Sequence, residues 1–249
     1  MAHFRIAKHQ ARLGKKAEAL TRYGEAIRLH PEYAAAYNNR ANLYTDLGQF
    51  DQALADYETA LSLRPDAADY HYNRSTLHFL KGDLVSAVGD LDQALDLDPT
   101  RSDFLFDRGA LLSKLGKHID ARRDYDKVIA AIPSHLKSLE NRALGYVAEN
   151  DLEAARRDFS AAIKLQPEDG RLYNWRAHTS CSLGDYDASA DDRMLAVIFE
   201  AIAIYELVAV INEEISSPIP SFAPPHSALL DALGEWTRAG CPGEFALFS

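Results

Sequence analysis

Arginine and aspartate recur through the chain in matched pairs that are suited to ion pairing. Each arginine is followed 16 residues later by an aspartate, and a glycine or asparagine stands midway between the two. If the midway residue forms the turn of an antiparallel helix pair, the two charged residues lie level with each other across it. The spacing predicts ion pairs between helices, and an arginine ladder for an acidic ligand explains the matching aspartates less well. The pairs are Arg40 with Asp56, Arg74 with Asp90, Arg108 with Asp124, Arg142 with Asp158 and Arg176 with Asp192.

An amide or a carboxylate directly precedes most of these arginines. The position holds Asn39, Asn73, Asp107 and Asn141, and Trp175 breaks the series. An asparagine side chain offers a hydrogen-bond donor and an acceptor, and so does the backbone of a peptide. The series therefore has the chemistry to hold an extended chain through its N–H and C=O groups. The alternative is that these amides are solvated or cap neighbouring helices.

The sequence contains no set of residues with the spacing of a catalytic or metal site. Glycine-rich phosphate loops, nucleophile elbows and zinc motifs are absent. His71 and His78 share a helix face without a carboxylate or cysteine at metal spacing, which predicts a neutral role at the surface. Cys181 and Cys241 give no disulfide framework, and Cys181 is at most a lone reactive thiol. We therefore expect no enzyme activity, no cofactor and no metal.

The sequence repeats with a period of 34 residues, and this repeat predicts the helices that position these side chains. A proline closes each period and a glycine or asparagine stands near its middle, which predicts two short amphipathic helices joined by a turn. The prolines are Pro31, Pro65, Pro99, Pro133 and Pro167, and the turn residues are Gly14, Gly48, Gly82, Gly116, Asn150 and Gly184.

Small and bulky residues also recur in register within each period. In the period that begins at Ala34, the small residues Ala41, Ala53 and Ala60 accompany the bulky Tyr57. Small residues let neighbouring helices approach closely, and the aromatic ring fills the gap beside them. Together with the period, this pattern resembles the tetratricopeptide repeat family. The resemblance implies an all-α, right-handed α-solenoid of about six helix-turn-helix repeats, at about residues 1–33, 34–67, 68–101, 102–135, 136–169 and 170–203.

The resemblance also implies a binding surface. In this family the first helix of each repeat lines a concave groove, and some members hold extended peptides there with an asparagine ladder. The carboxylate clamp that other members use for chaperone C termini is not expected, because its third-repeat cations are missing. The candidate peptide-binding residues are Asn39, Asn42, Asn73, Asp107, Asn141 and Asn174, with Tyr72 and Phe106 as apolar contacts.

The sixth period departs from the pattern at its end. Ala201 stands where a proline is expected, so we predict that the last helix continues through residues 204–215 as a cap. Residues 194–211 are apolar except for two glutamates, which argue against a membrane span and favour contact with the C-terminal segment or a second copy of the chain. Residues 216–249 are predicted to form a Pro-rich linker and a short helix.

Composition narrows the class of partner. The formal net charge of −10 disfavours nucleic acid as a ligand, and the first ten residues lack an apolar secretory core, so a cytoplasmic location is expected. We expect a non-catalytic scaffold or adaptor that binds a protein or peptide segment in the groove. Two alternatives stay open: a self-assembling homodimer that pairs through residues 194–211, and a helper domain of a larger complex.

Overall fold

The structure is a computed structural model that describes the backbone of residues 2–214 and the side chains up to residue 202. Over these residues the chain is all helical, with no β-strand. The predicted linker and short helix at residues 216–249 lie outside the described residues. The helices are α1 (Ala2–Arg12), α2 (Lys16–Leu29), α3 (Ala34–Asp46), α4 (Phe50–Leu63), α5 (Ala68–Leu80), α6 (Leu84–Leu97), α7 (Ser102–Lys114), α8 (His118–Ala131), α9 (Leu136–Ala148), α10 (Leu152–Leu165), α11 (Gly170–Ser182) and α12 (Tyr186–Glu214).

Tight turns join the two helices of each pair, and each turn contains a residue with a positive φ angle. Gly48 has a φ of 72°, and Gln49 then donates from its backbone N–H to the carbonyl oxygen of Tyr44 over 2.8 Å, which closes the end of α3. Asn150 takes the same place between α9 and α10 with a φ of 60°. Asparagine tolerates this left-handed region better than other residues with a side chain, which explains its presence in a series of glycines.

Prolines separate one helix pair from the next. Arg64 precedes Pro65 and ends α4 with a φ of −140° and a ψ of 75°, outside the helical region. A proline disfavours the helical conformation of the residue before it, because its ring collides with that residue. The second helix of a pair therefore stops where the next first helix has to begin.

Small residues and rings from both helices of a pair form the core. Ala41 on α3 and Ala53 on α4 are fully buried against Tyr57, whose side chain is also buried. Ala143 and Ala155 enclose Phe159 in the same way on α9 and α10. The alanines allow close approach of the helix backbones, and each ring fills the space that remains.

The chain forms two compact units, residues 1–127 and 128–249. In the first unit, α1 packs with α2, α3 with α4 and α5 with α6, and the second helix of each pair contacts the first helix of the next. In the second unit, α9 packs with α10 and α11 with α12, and α10 contacts α11. Each unit is therefore built from consecutive helix pairs, as an α-solenoid requires.

The last helix, α12, extends far beyond the length of the others. It has 29 residues and passes through Ala201 without interruption, since no proline ends it. Met194, Ile198 and Ile202 lie along one side of it and are each at least 40% exposed. Among the described residues, no helix is both long and apolar enough to cross a membrane. The side chains of residues 203–211, which belong to the predicted 194–211 seam, lie outside the described residues.

Candidate functional site

Arginine–aspartate pairs join the two helices of each of five repeats. In every pair, Nε and Nη2 of the arginine donate to the two carboxylate oxygens over 2.6–2.9 Å. The aspartate side chains are buried, so each guanidinium is engaged inside its own repeat. This bidentate geometry suits a structural contact better than a ladder for a ligand. The pairs are Arg40–Asp56, Arg74–Asp90, Arg108–Asp124, Arg142–Asp158 and Arg176–Asp192.

Two of these arginines also reach the preceding repeat. Arg108 Nη1 donates to Asp92 Oδ1 over 2.8 Å, and Arg176 Nη1 donates to Ser160 Oγ over 3.1 Å. The hydrogen bonds to Asp124 and Asp92 raise the pKa of Arg108, which therefore stays charged. The same arginine thus connects the two helices of its repeat and ties that repeat to its neighbour.

Asparagine side chains connect the first helices of two repeats in the first unit. Asn73 Nδ2 on α5 donates to Asn38 Oδ1 on α3 over 3.0 Å. Asn39 Nδ2 donates to the carbonyl oxygen of Ala35 over 2.7 Å. Asn42 accepts a hydrogen bond of 2.6 Å from the hydroxyl of Tyr57 at its Oδ1. One half of each amide is therefore fixed by a contact inside the protein.

The other half of each amide is open. Nδ2 of Asn38 and of Asn42 donates to no residue that the structure describes. Oδ1 of Asn39 and of Asn73 likewise accepts from none of the described side chains or backbone groups. We call these four side chains, together with Asp107 on α7, the amide face.

Asp107 is held by a neutral partner. The hydroxyl of Tyr72 on α5 donates to Asp107 Oδ2 over 2.7 Å. Burial raises the pKa of Asp107 above its ordinary value, although the hydrogen bond from Tyr72 opposes this effect. Burial also raises the pKa of Tyr72, so the phenol keeps its proton and acts as the donor. The carboxylate therefore lies half-buried at the point where the other repeats have an asparagine.

The two aromatic residues of the predicted binding set have internal partners. The ring of Tyr72 stacks on Phe104 with a centroid distance of 4.7 Å. Phe106 is half-buried, and its ring centroid lies 6.1 Å from that of Tyr125. Both rings are therefore part of the packing between helices as well as neighbours of the amide face.

Arg101 belongs to this region but was not in the predicted set. Its Nε and Nη2 donate to Asp103 over 2.9 and 2.7 Å, and its Nη1 donates to Asp69 over 3.0 Å. The guanidinium also lies 4.0 Å from the ring centroid of Phe104. Arg101 stands at the end of a period, outside the repeating arginine position, and no spacing rule pointed to it.

The predicted residues of the second unit have a more charged environment. Asn174 Nδ2 donates to Glu200 Oε1 over 3.1 Å, and Asn141 is half-buried on α9. Glu140 is buried beside it and accepts a hydrogen bond of 2.8 Å from Lys137 Nζ. The nearest nitrogen of Arg171 lies 3.9 Å from Glu140 Oε1. This group is described separately from the amide face, which lies wholly in the first unit.

The two histidines are less exposed than the expected role at the surface implies. His71 Nδ1 lies 3.8 Å from Asp90 Oδ1 and His78 Nε2 lies 3.7 Å from Asp90 Oδ2, and both side chains are largely buried. The sequence showed the shared face of the histidines but not the carboxylate that α6 brings between them. Asp90 is already bound by Arg74, and the described part of the chain holds no group of three side chains able to ligate a metal.

Cys181 is not a free thiol. Its sulfur is disulfide-bonded, and its side chain is buried in α11. The reactive thiol that the sequence left open at this position is therefore ruled out in this structure.

Solved structures show the same architecture. The C-terminal part of a TPR repeat-containing protein from Cytophaga hutchinsonii is 21% identical, with a TM-score of 0.73 and coverage of 97% of this chain and 96% of that one. YrrB, described as a TPR protein with an unusual peptide-binding site, is 20% identical, with a TM-score of 0.66 and coverage of 84% and 96%. MamA from Desulfovibrio magneticus is 21% identical, with a TM-score of 0.63 and coverage of 67% and 94%. At these identities the likeness establishes the fold, an α-solenoid of tetratricopeptide repeats. No curated protein sequence matches the chain.

Sequence profiles of the repeat match most of the chain. A profile described as "Tetratricopeptide repeat" matches residues 38–102 and 140–202, and a second with the same description matches residues 91–123. A profile described as "TPR repeat" matches residues 11–48. The helix pairs, the turn residues and these matches agree, and the chain belongs to the tetratricopeptide repeat family.

Proposed function

We propose that this protein is a non-catalytic interaction scaffold or adaptor that binds an extended peptide segment of a partner protein on the first helices of its repeats. The main support for the proposal is the hydrogen bonding of the asparagines on the amide face. Each amide is anchored through one of its polar atoms and presents the other without an internal partner. A surface of fixed donors and acceptors is suited to the backbone of a peptide.

The open atoms include both kinds of hydrogen-bonding group. Asn38 and Asn42 have open Nδ2 donors, which can bind a peptide C=O, and Asn39 and Asn73 have open Oδ1 acceptors, which can bind a peptide N–H. The internal bonds fix the side-chain rotamers in advance, so little side-chain entropy is lost when a peptide binds. Recognition of this kind depends on an extended backbone and requires few particular side chains.

Asn141 and Asn174 are proposed as peptide-binding residues of the second unit by itself. Asn141 and Asn174 lie on its first helices, and Asn174 is already oriented by Glu200. YrrB, whose fold is similar, is described as having a peptide-binding site, which supports peptide binding as a use of this fold. We also propose that the protein acts as a scaffold in the cytoplasm.

Peptide selection followed by amide substitution tests the proposal. Short peptides from a displayed random library are selected on the full chain, and the dissociation constant of the best peptide is measured by fluorescence anisotropy. Asn39→Ala combined with Asn73→Ala removes two acceptors and is expected to weaken binding by about tenfold or more. Circular dichroism checks that the double variant keeps its helices.

Gln52→Ala is the matched control, because Gln52 is an exposed amide on α4 and lies off the amide face. Its peptide affinity is expected to equal that of the wild type. If no peptide is selected, or if the double variant binds as tightly as the control, the amide face is not the binding site.

Self-assembly is a second candidate, favoured by one observation. Met194, Ile198 and Ile202 form an exposed apolar stripe on α12, which water disfavours. In a homodimer, a second copy of the chain would cover this stripe. In a larger complex, a different protein would cover it. Light scattering on the wild type and on Ile198→Glu decides between these states: a dimer that becomes a monomer supports self-assembly, and a wild-type monomer at high concentration excludes it.

A further inference from the structure

One residue of the amide face differs from the others in charge. Asp107 occupies the position that holds Asn39 and Asn73 in the two preceding repeats, so the third place of the series is a carboxylate. Its Oδ2 is bound by the Tyr72 hydroxyl over 2.7 Å, and its Oδ1 accepts no hydrogen bond from the described residues. The open atom at this place is therefore an anionic acceptor.

The fully buried aspartates of the first unit have cationic partners. Asp56 and Asp124 each receive two hydrogen bonds from an arginine guanidinium, at distances of 2.7–2.8 Å. Among the described residues, the hydrogen bond to Asp107 comes from a neutral phenol. Burial of a carboxylate without a cation is unfavourable, because the charge loses water and gains no opposite charge in return.

The arginine near Tyr72 and the arginine next in sequence to Asp107 are both bound to other carboxylates. Arg101 is the basic residue near Tyr72, but its three guanidinium nitrogens bind Asp103 and Asp69. Arg108, next in sequence to Asp107, is held by Asp124 and by Asp92. The negative charge of Asp103 adds to the unfavourable environment of Asp107.

We propose, on the basis of the peptide site proposed above, that Asp107 Oδ1 binds a lysine or arginine side chain of the peptide. A cation from the ligand would supply a positive charge that none of the described residues is seen to supply to Asp107. The hydrogen bond would be charge-assisted, and such bonds are stronger than those between neutral groups. Asp107 would then make the peptide site selective for a basic residue.

The amide face also contains a largely buried amide with an open donor atom. Asn38 is 94% buried, since only 6% of it is exposed, yet its Nδ2 donates to no described residue. Asn38 is tied to Asn73, and the residue before Asn73 is the Tyr72 that binds Asp107. A peptide C=O on Asn38 and a basic side chain on Asp107 would therefore engage one connected set of side chains.

The ring of Tyr72 also prepares the carboxylate for this role. Stacking on Phe104 fixes the ring, and its hydroxyl then fixes the carboxylate in one orientation with Oδ1 left open. The raised pKa of Asp107 has burial as its main cause, so a bound cation is expected to lower that pKa again. Binding of a basic peptide should consequently weaken as Asp107 becomes protonated at acidic pH.

A double-mutant cycle between the protein and a selected peptide tests the proposal. Peptides are selected on the full chain from a library displayed with both ends covalently flanked, so that a free amino terminus cannot take the place of a side chain. The best peptide is synthesised with its lysine or arginine intact or changed to glutamine, and both forms are measured on the wild type and on Asp107→Asn. This substitution is nearly isosteric and keeps an oxygen for the Tyr72 hydroxyl, so the fold is expected to be retained.

The expected results separate this proposal from the one on which it rests. Selected peptides should be enriched in lysine or arginine at one position, and the change to glutamine should weaken binding by about tenfold on the wild type but less than about twofold on Asp107→Asn. Asp96→Asn, which removes an exposed charge on α6, should behave as the wild type. Peptides that depend on Asn39 and Asn73 but carry no coupling to Asp107 would overturn this inference alone, whereas failure to select any peptide would overturn both.

Discussion

Gly109 shows how closely the helices of one repeat approach each other. It lies on α7, and a Cβ atom built at this position would lie 2.8 Å from the nearest carbon of the Tyr125 ring. Tyr125 is 1% exposed, so its ring has no free space into which to move. The other repeats have alanine or serine at this position, and the absence of a side chain here is therefore a requirement of local packing.

We predict that Gly109→Ala lowers the free energy of unfolding by about 1–2 kcal/mol. The collision with Tyr125 costs about 1–3 kcal/mol, and the better helix propensity of alanine offsets up to about 1 kcal/mol of this. Gly89→Ala on α6 is the control, because a Cβ there meets nothing within 4 Å. Urea denaturation should show the control to be as stable as the wild type or slightly more so, and equal effects of both changes would contradict the packing argument.

The protonation of Asp107 has an effect on stability with a defined sign. Its pKa is raised in the folded protein by burial, so ionisation opposes folding. Its stabilising contribution is complete at pH values below the ordinary aspartate value of 3.8 and is lost as the pH rises through the raised pKa. Asparagine carries no charge at any pH and escapes this loss.

We therefore predict that the melting temperature of Asp107→Asn minus that of the wild type is larger at neutral pH than at acidic pH. Asp103→Asn is the opposite case, because the hydrogen bond from Arg101 lowers the pKa of Asp103. Asp103→Asn should therefore be slightly less stable than the wild type at neutral pH, and this difference should disappear at acidic pH. Thermal denaturation by circular dichroism at both pH values checks the two signs, and parallel behaviour of the variants would refute the assignment.

A buried ion pair holds the two helices of each such repeat together. Asp124 on α8 is 2% exposed and receives both Nε and Nη2 of Arg108 on α7. Removal of one partner leaves a buried charge without compensation, which is far more costly than the loss of a pair at the surface.

We predict that Arg108→Ala lowers the free energy of unfolding by about 3 kcal/mol. Arg123→Ala, which breaks the exposed pair between Arg123 and Asp120, should cost less than about 1 kcal/mol. Chemical denaturation of both variants gives the comparison. A small effect of Arg108→Ala together with a large loss of peptide affinity would show instead that this arginine serves the ligand.

Contacts inside one helix pair are the kind that sequence spacing can predict. Arg40 and Asp56 stand at equal distances from Gly48, and antiparallel geometry then brings them together. The contact from Tyr72 to Asp107 lies between repeats, and its formation depends on how one pair packs on the next. The contact of His71 and His78 with Asp90 cannot be read from spacing along one helix, because Asp90 lies on α6 and the histidines lie on α5.

At the scale of the whole molecule, the repeat period made the fold class predictable. The prediction of an all-α solenoid of tetratricopeptide repeats is confirmed by the helices and by the similar solved structures. The division into six repeats, a cap at residues 204–215 and a C-terminal segment stays a prediction. The sequence could not show which half of each asparagine is used inside the protein, because Asn38 and Asn42 obtain their partners only when the helices pack.

Peptide binding by the amide face is proposed to depend on the backbone of the peptide. Replacement of one peptide amide at a time by an ester removes a single N–H donor and leaves the side chains unchanged. We predict that the dissociation constant of a selected peptide, measured by isothermal titration calorimetry, rises about fivefold to tenfold for at least two of these replacements. Unchanged affinity along the whole ester series, with alanine substitution of peptide side chains abolishing binding, would contradict it.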